Sequence, residues 1–100
     1  MVNAKIKSYV GFAIKSNQVV FGVDNLEVFR KKLHLIIVSA DIAEKSMNKL
    51  KVVSQNKNAE ILVFSEGLED LTSRKNCKAI GITNFELAKA IKNSSRGVCQ

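Results

Sequence analysis

Apolar and polar positions change period several times along the chain, and the changes predict helices and strands in turn. Apolar side chains recur at helical spacing over residues 3–15, with lysines between them, which predicts a first helix. A β-branched and aromatic run at residues 19–21, closed by Gly22, predicts a short strand. A continuous apolar run at residues 33–40 predicts a central strand that is buried on both faces. Two more strands are predicted over residues 59–64 and 77–82.

Three capping boxes predict where further helices begin. In such a box, an N-cap Asp or Thr and a Glu three residues later satisfy free amide groups at the helix start. The three boxes are Asp24 with Glu27, Asp41 with Glu44, and Thr83 with Glu86. The helix after the first box is predicted to end near Lys32, and the helix after the second near Asn56. The positions predicted to face the core are Ala43, Met47, Leu50 and Val53 in the second of these helices and Phe85, Ala88 and Ile91 in the third.

The order of these elements indicates the fold class. Helices and strands alternate, which is typical of a sheet enclosed between two helical layers. We therefore predict an α/β fold, a three-layer α/β/α sandwich around a four-stranded mixed sheet. One hundred residues are enough for one domain, which we assign to residues 1–100. A short helix is predicted near residues 68–73, and residues 94–100 are predicted to form a flexible tail.

Composition agrees with a small cytoplasmic domain. Hydrophobic residues make up 46% of the chain and charged residues 25%, an ordinary globular mix. The apolar runs are far shorter than the roughly 18 residues that cross a bilayer, and no signal peptide is evident at the N-terminus. Two cysteines, Cys77 and Cys99, are too few for a disulfide scaffold. We expect a cytoplasmic protein that does not associate with membranes.

Charge adds the first functional indication. The net charge is +7 and it is unevenly distributed. Residues 1–32 carry six basic and two acidic side chains, and residues 74–100 carry six basic and one acidic, whereas residues 33–73 carry four basic and six acidic. A basic surface formed from both ends of a chain is typical of proteins that bind polyanions such as nucleic acid. A generally basic, soluble protein remains the alternative.

The side chains of common enzyme sites are scarce. The single histidine, His34, lies in the most apolar run, and no Cys, Asp or Glu stands near it at metal-ligand spacing. Cys77 lies beside Lys75 and Lys78, which can activate a thiol, but a small apolar residue entering a strand is the simpler interpretation. The glycines form no phosphate-binding loop. We therefore expect no catalytic residue, metal, cofactor or small-molecule substrate.

Four segments carry a resemblance to a known family. YVGFAIK at residues 9–15, VVFG at 19–22, LHLIIVSADIAE at 33–44 and AIGITNFELAKAI at 79–91 follow one another in the order of its motifs. They resemble the L-seven-Ae/L-thirty-e superfamily of ribosomal proteins, in particular its small bacterial YlxQ-like and YbxF-like members. The resemblance covers most of the chain and implies the α/β/α sandwich that the periodicity predicts. It also implies a non-enzymatic protein that binds kink-turn RNA.

The resemblance also assigns residues. In the family, a glycine ends the first strand, an Asn-Glu pair and a following lysine contact sheared G·A pairs, and a loop before the last strand covers an extruded base. Gly22 matches the glycine, and Asp24 and Asn25 occupy the Asn and Glu positions. The pair keeps one acceptor and one donor for base edges, in the opposite order. The lysine position falls on Val28, which can do neither, and the covering loop falls near residues 71–77.

Basic residues complete the predicted interface. Phosphates of a structured RNA, such as ribosomal RNA, are expected to contact five side chains. These are Lys15, Lys31, Lys32, Arg74 and Lys75. The loss of the lysine at Val28 favours a second hypothesis, a ribosome-associated adaptor that binds proteins through a fold whose RNA face has changed. A third hypothesis, a small enzyme, requires a pocket that includes Cys77 or His34. The alternative role of Asp24 is that of an N-cap only, and the alternative role of Gly22 is to make a turn only.

Overall fold

A computed structural model of the chain describes residues 4–64, 68, 72 and 77–98. Side chains are described for residues 6–64, 68, 72 and 77–94. Helices and strands follow one another over these residues nearly in the predicted order. They are α1 (Ala4–Lys15), β1 (Val19–Phe21), α2 (Val23–Val28), β2 (Leu35–Ser39), α3 (Glu44–Lys57), β3 (Glu60–Phe64), β4 (Ala79–Ile82) and α4 (Phe85–Val98).

The four strands form one mixed sheet in the order β1-β4-β2-β3. β4 runs antiparallel to both of its neighbours, and β2 and β3 are parallel. We call one end of the sheet the Val19 end. There β1, β2 and β3 begin and β4 finishes, at Val19, Leu35, Glu60 and Ile82. At the opposite end, the Phe21 end, the directions are reversed, and the strand residues are Phe21, Ser39, Phe64 and Ala79.

A helical layer covers each face of the sheet. α1 and α4 pack on one face, where their buried side chains Ile6, Val10 and Ile91 meet alternate residues of β2 and β4. α2 and α3 cover the other face through Leu26 and Leu50. All five residues of β2 are buried, as the continuous apolar run predicts. The three-layer α/β/α sandwich is thereby confirmed.

The predicted capping boxes are wrong at all three helix starts. α2 begins directly after Gly22 and α3 after Ala43, and neither residue makes a side-chain cap. Asp24 lies inside the first turn of α2. α4 is capped by Asn84, whose Oδ1 accepts the Leu87 N–H at 3.0 Å. The hydroxyl of Thr83, the predicted cap, instead donates to the carbonyl of Gln18 at 3.1 Å, so it is unavailable to the helix.

Several predicted boundaries and core positions also change. α2 stops at Val28 instead of Lys32, because Phe29 is extended. α4 continues to Val98, so the predicted tail is helical over residues 94–98, while residues 99–100 lie outside the described residues. Ala43 and Phe85 are exposed although both were predicted to face the core.

The predicted helix near residues 68–73 lies mostly outside the described residues. Leu68 and Thr72 are described; both are helical and buried. The Thr72 hydroxyl donates to the Leu68 carbonyl at 2.9 Å.

An exposed ion pair joins the ends of two strands. Lys78, just before β4, donates to Oδ2 of Asp41, just after β2, at 2.7 Å, and the Ser39 hydroxyl donates to Oδ1. These hydrogen bonds, from Lys78 first and then Ser39, hold the pKa of the Asp41 carboxyl below its ordinary value of 3.8. The carboxylate is therefore stabilised in the folded protein.

We expect Asp41→Asn to lower Tm by a few degrees at most at neutral pH, because the pair is exposed. The lowered pKa means that the pair's contribution is complete above the ordinary pKa and is lost as the pH falls through the folded value. A double-mutant cycle with Lys78→Gln should therefore show coupling at pH 7 that fades below pH 3.8. Lys45→Gln, an exposed ammonium on α3, is the control. Coupling that persists unchanged in acid would contradict this account.

Candidate nucleic-acid interface

The start of α2, at the Phe21 end, brings three predicted site residues together. Gly22 has φ +90° and ψ 150°, a conformation that is essentially restricted to glycine. Its N–H donates to the Ala79 carbonyl of β4 at 2.9 Å, and its carbonyl accepts the Leu26 N–H at 3.0 Å. Gly22 thus turns the chain sharply from β1 into α2 while remaining bonded to the sheet.

Asp24 and Asn25 follow immediately, and both are exposed. Nδ2 of Asn25 donates to the Phe21 carbonyl at 2.7 Å. This bond uses one amide hydrogen and orients the side chain, while the second hydrogen and Oδ1 can meet another molecule. Asp24 adds a carboxylate in the same turn. The pair therefore offers one oriented amide and one acceptor, which is the chemistry that readout of base edges requires.

The segment that carries Arg74 and Lys75 joins β3 to β4. β3 finishes at Phe64 and β4 begins at Ala79, both at the Phe21 end. Arg74 and Lys75 themselves lie outside the described residues. Val28, the last residue of α2, is 72% exposed.

The other three predicted phosphate contacts lie at the Val19 end. Lys15 is the last residue of α1, and the turn after it leads into β1. Lys31 and Lys32 lie in the connection from α2 to β2, and all three side chains are exposed. The predicted interface is therefore divided between two ends of the sheet. Because β1 has only three residues, the two ends of the sheet lie close together along this strand.

A groove of about 490 Å³ opens beside Lys31 and Lys32. Its apolar lining comes from Val19, Val20 and Phe29, and its other lining residues are Asn17 and Thr83. Nothing in the sequence indicates this groove. Its residues come from the turn before β1, β1 itself, the α2–β2 connection and the end of β4, and no local motif joins them. Asn17, a non-glycine residue with φ 60°, is visible only in the structure.

Lys57 orders one wall of this groove. From the end of α3 its Nζ donates to the Lys31 carbonyl at 2.9 Å. The same ammonium lies 5.9 Å from the centre of the Phe29 ring, within the range of a cation–π interaction. The connection that carries Lys31 and Lys32 is thereby fastened to α3.

His34 and Cys77 are not brought together. His34 precedes β2 at the Val19 end, where its N–H donates to the Ile82 carbonyl at 2.9 Å and its ring contacts Phe85 edge-on at 5.5 Å. Cys77 is buried near the Phe21 end, with Sγ 3.7 Å from the Ala79 carbonyl oxygen. Over residues 6–64, 68, 72 and 77–94, no group of His, Cys, Asp or Glu side chains could hold a metal ion. Nor does any helix among the described residues have the length and apolar character needed to cross a membrane.

These features define a three-layer α/β/α sandwich with basic side chains at both ends of its sheet. No protein-family model matches the chain, and no curated protein matches it. Among solved structures, a protein of unknown function from Bacillus halodurans is similar, with a TM-score of 0.81 over 92% of this chain and 97% of that one. The two sequences are 19% identical. Similarity at this level shows a common fold, and a fold alone does not imply a function.

Proposed function

We propose that this chain is a non-enzymatic, cytoplasmic RNA-binding protein that recognises bent, structured RNA of the kink-turn type. The observation that carries the proposal is the start of α2, where Gly22 makes the turn and Asn25 is held by its bond to the Phe21 carbonyl. Asn25 reads a base edge and Asp24 accepts from a base amino group. Basic side chains contact the phosphates, which fix the orientation of the protein on the RNA.

The net charge of +7 supports this function independently. Contacts between lysines and phosphates release counterions, so binding should weaken steeply with salt. Lysine–phosphate contacts recognise the shape of the RNA without reading its sequence, whereas the Asp24–Asn25 pair discriminates between base pairs. Charge therefore provides affinity, and the start of α2 provides specificity.

The test compares two RNAs over a salt titration. One is a generic kink-turn stem, and the other is the same stem with Watson–Crick pairs in place of the sheared G·A pairs. We expect tighter binding to the first by about tenfold or more, or ~1.4 kcal/mol, at about 0.15 M salt. Asn25→Ala should reduce this preference by about 1–3 kcal/mol, the range for one bidentate base contact.

Asn48→Ala, which removes an exposed amide from α3, is the matched control and should leave the preference unchanged. Melting curves of both variants separate lost readout from lost folding, since Asn25 also bonds to the Phe21 carbonyl. The proposal would be contradicted if the wild-type chain bound both stems equally and lost affinity for both to the same extent as salt is raised.

A second candidate function is an adaptor that binds proteins at the ribosome. The exposed Val28 favours it, because an apolar side chain replaces the lysine that the family presents to RNA. The same titration separates the two candidates. An adaptor retains non-specific, salt-sensitive RNA binding and shows no preference for the kink-turn stem.

A further inference from the structure

β3 is an edge strand of the sheet, and its outer side is open. It pairs with β2, and over the residues that the structure describes no other strand lies beside it. In a parallel pair, alternate residues direct both of their backbone groups to the neighbouring strand. The Phe64 carbonyl accepts from the Ala40 N–H just after β2, so Leu62 and Phe64 are bonded to β2. The N–H and carbonyl groups of Ile61 and Val63 therefore point outward.

The opposite edge of the sheet, formed by β1, is short and partly closed. The Gly22 N–H bonds to β4, so the same alternation directs the Phe21 carbonyl outward. There Nδ2 of Asn25 donates to it at 2.7 Å. No described residue occupies the outer backbone groups of Ile61 and Val63 in this way. Because proteins usually cover or block an edge strand, an open one is a template for the addition of another strand.

The side chains of β3 leave apolar surface uncovered on both faces of this edge. Ile61 packs on the face covered by α3, and Val63 shares that face because side chains alternate along a strand. Val63 is 53% exposed. Leu62 and Phe64 pack on the face covered by α4, and both are only partly buried. An added strand would therefore bury apolar side chains as well as complete the backbone hydrogen bonds.

One side of α4 runs beside β3 and adds a positive charge. Phe85, Lys89 and Lys92 follow one another at helical spacing, so they lie on one side of the helix. Nζ of Lys92 lies 3.9 Å from Oε1 of Glu60, the first residue of β3, which places this side of α4 next to the strand. Phe85 and Lys89 are exposed, and among the described side chains no carboxylate forms an ion pair with Lys89. Lys89 is therefore available to an acidic group.

Backbone geometry and charge together restrict the occupant. Outward N–H and carbonyl groups in a row match the backbone of an extended peptide, whereas the carbonyls would repel the phosphates of a nucleic acid. A second copy of this chain would bring Lys89 and Lys92 of both molecules to the same face of the joined sheet, because a two-fold contact repeats one surface. Each copy also has a net charge of +7, so the two would repel. An acidic peptide has the complementary charge.

We propose that the outer edge of β3 binds an extended, acidic peptide segment of a partner protein as a fifth strand. Its backbone bonds to Ile61 and Val63. Alternation along the peptide directs acidic side chains to the α4 face, where Lys89 lies, and apolar side chains to the α3 face, where they cover Val63. This surface is at the edge of the sheet opposite β1, so it goes beyond the proposed kink-turn recognition at Asn25 and does not depend on it.

The first arm of the test measures binding of the full chain to a fluorescent, capped octapeptide of alternating valine and glutamate. Lys89→Glu should weaken binding by about fivefold or more, because an attractive charge becomes a repulsive one. The control Lys7→Glu makes the same change at an exposed position on α1 and should weaken binding by about twofold or less. Equal weakening by the two variants would overturn the proposal, since it would indicate only the net charge.

The second arm follows the backbone directly by amide hydrogen exchange. In the free protein the outward N–H groups of Ile61 and Val63 should exchange faster than those of Leu62 and Phe64, which are bonded to β2. Saturation with the octapeptide should slow Ile61 and Val63 by about tenfold or more and change the other two much less. Binding that leaves the exchange of Ile61 and Val63 unchanged would overturn the proposal, because the peptide would then lie elsewhere.

The third arm examines the other occupants of the same edge. Without peptide, Ile61 and Val63 should exchange at rates independent of protein concentration, and the chain should sediment as a monomer. Protection that increases with protein concentration would assign the edge to a second copy and overturn the proposal. Protection by the kink-turn stem in place of the peptide would assign it to RNA, with the same consequence. Lys89→Glu should retain the preference for the kink-turn stem over its Watson–Crick counterpart, so the two proposals fail separately.

Discussion

Gly81→Ala is expected to destabilise the protein by about 1–3 kcal/mol, the range for overpacking a filled core. A Cβ at this position, in the middle of β4, would lie 2.5 Å from Cδ2 of Leu26 and 2.8 Å from Cδ2 of Leu33. Both leucines are buried, so neither methyl group can move into solvent. Glycine to alanine in an ordinary strand stabilises, because alanine loses less conformational freedom on folding. Here the contact reverses the sign.

Thermal unfolding checks this expectation, with a decrease in Tm of about 4–8 °C for each kcal/mol in a domain of this size. Gly81→Val should have a larger effect than Gly81→Ala. A double-mutant cycle with Leu26→Ala tests the cause. Leu26→Ala alone should cost about 2–5 kcal/mol for the cavity it leaves, and that cavity accommodates the new Cβ. The double variant should therefore be more stable than the sum of the two changes implies, and strict additivity would contradict the proposed contact.

Gly22→Ala is expected to destabilise the protein by a similar amount, about 1–3 kcal/mol, for a different reason. Nothing lies within 4 Å of a Cβ built at Gly22, so alanine meets no obstacle. The effect comes from φ +90°, which an L side chain rarely adopts. Relaxing this angle would weaken the bond from the Gly22 N–H to the Ala79 carbonyl and tilt α2, so the preference for the kink-turn stem should fall as well.

Gly11→Ala is the matched control. Gly11 also has open space around its Cβ position, but it lies in the interior of α1 without a positive φ. Alanine there should stabilise the protein by about 0.5–1 kcal/mol, the usual helix preference. Opposite signs for Gly11→Ala and Gly22→Ala, measured by chemical denaturation, would establish the backbone angle as the cause. The same sign at both positions would argue against it.

The sequence predicts the layers of the fold well because they depend on local periodicity. The apolar run at residues 33–40 contains the buried strand β2, and the helical spacing at residues 3–15 identifies α1 within one residue at its start. Helix starts are predicted poorly. A capping motif indicates that a helix begins nearby. Which residue is the N-cap depends on where the preceding strand and its hydrogen bonds end. Thr83 bonds to the Gln18 carbonyl across the sheet, which leaves Asn84 as the cap.

The candidate site is predictable only in part, for the same reason. Gly22, Asp24 and Asn25 follow one another in sequence, so their proximity needs no tertiary information. The groove beside Lys31 and Lys32, in contrast, depends on the pairing of β1 with β4, which sets Val19 opposite Ile82 and brings Thr83 to the turn before β1. Pairing between strands this far apart in sequence has no local signal. The predicted burial of Phe85 is wrong: helical spacing alone places it on the core face, whereas the structure leaves it exposed.

The position of β4 between β1 and β2 governs the order in which the molecule assembles. During synthesis β1 emerges first, yet β4, the strand with which it pairs, emerges only after β2, α3 and β3. Until then β2 and β3 can pair with one another, while β1 has no neighbour and α1 has no completed sheet to cover. Contacts between distant parts of a chain are slow to form, so folding should wait for the last strand and then proceed in one cooperative step. The nascent chain therefore acquires Gly22, Asn25 and the groove as ordered surfaces together, once β4 has emerged.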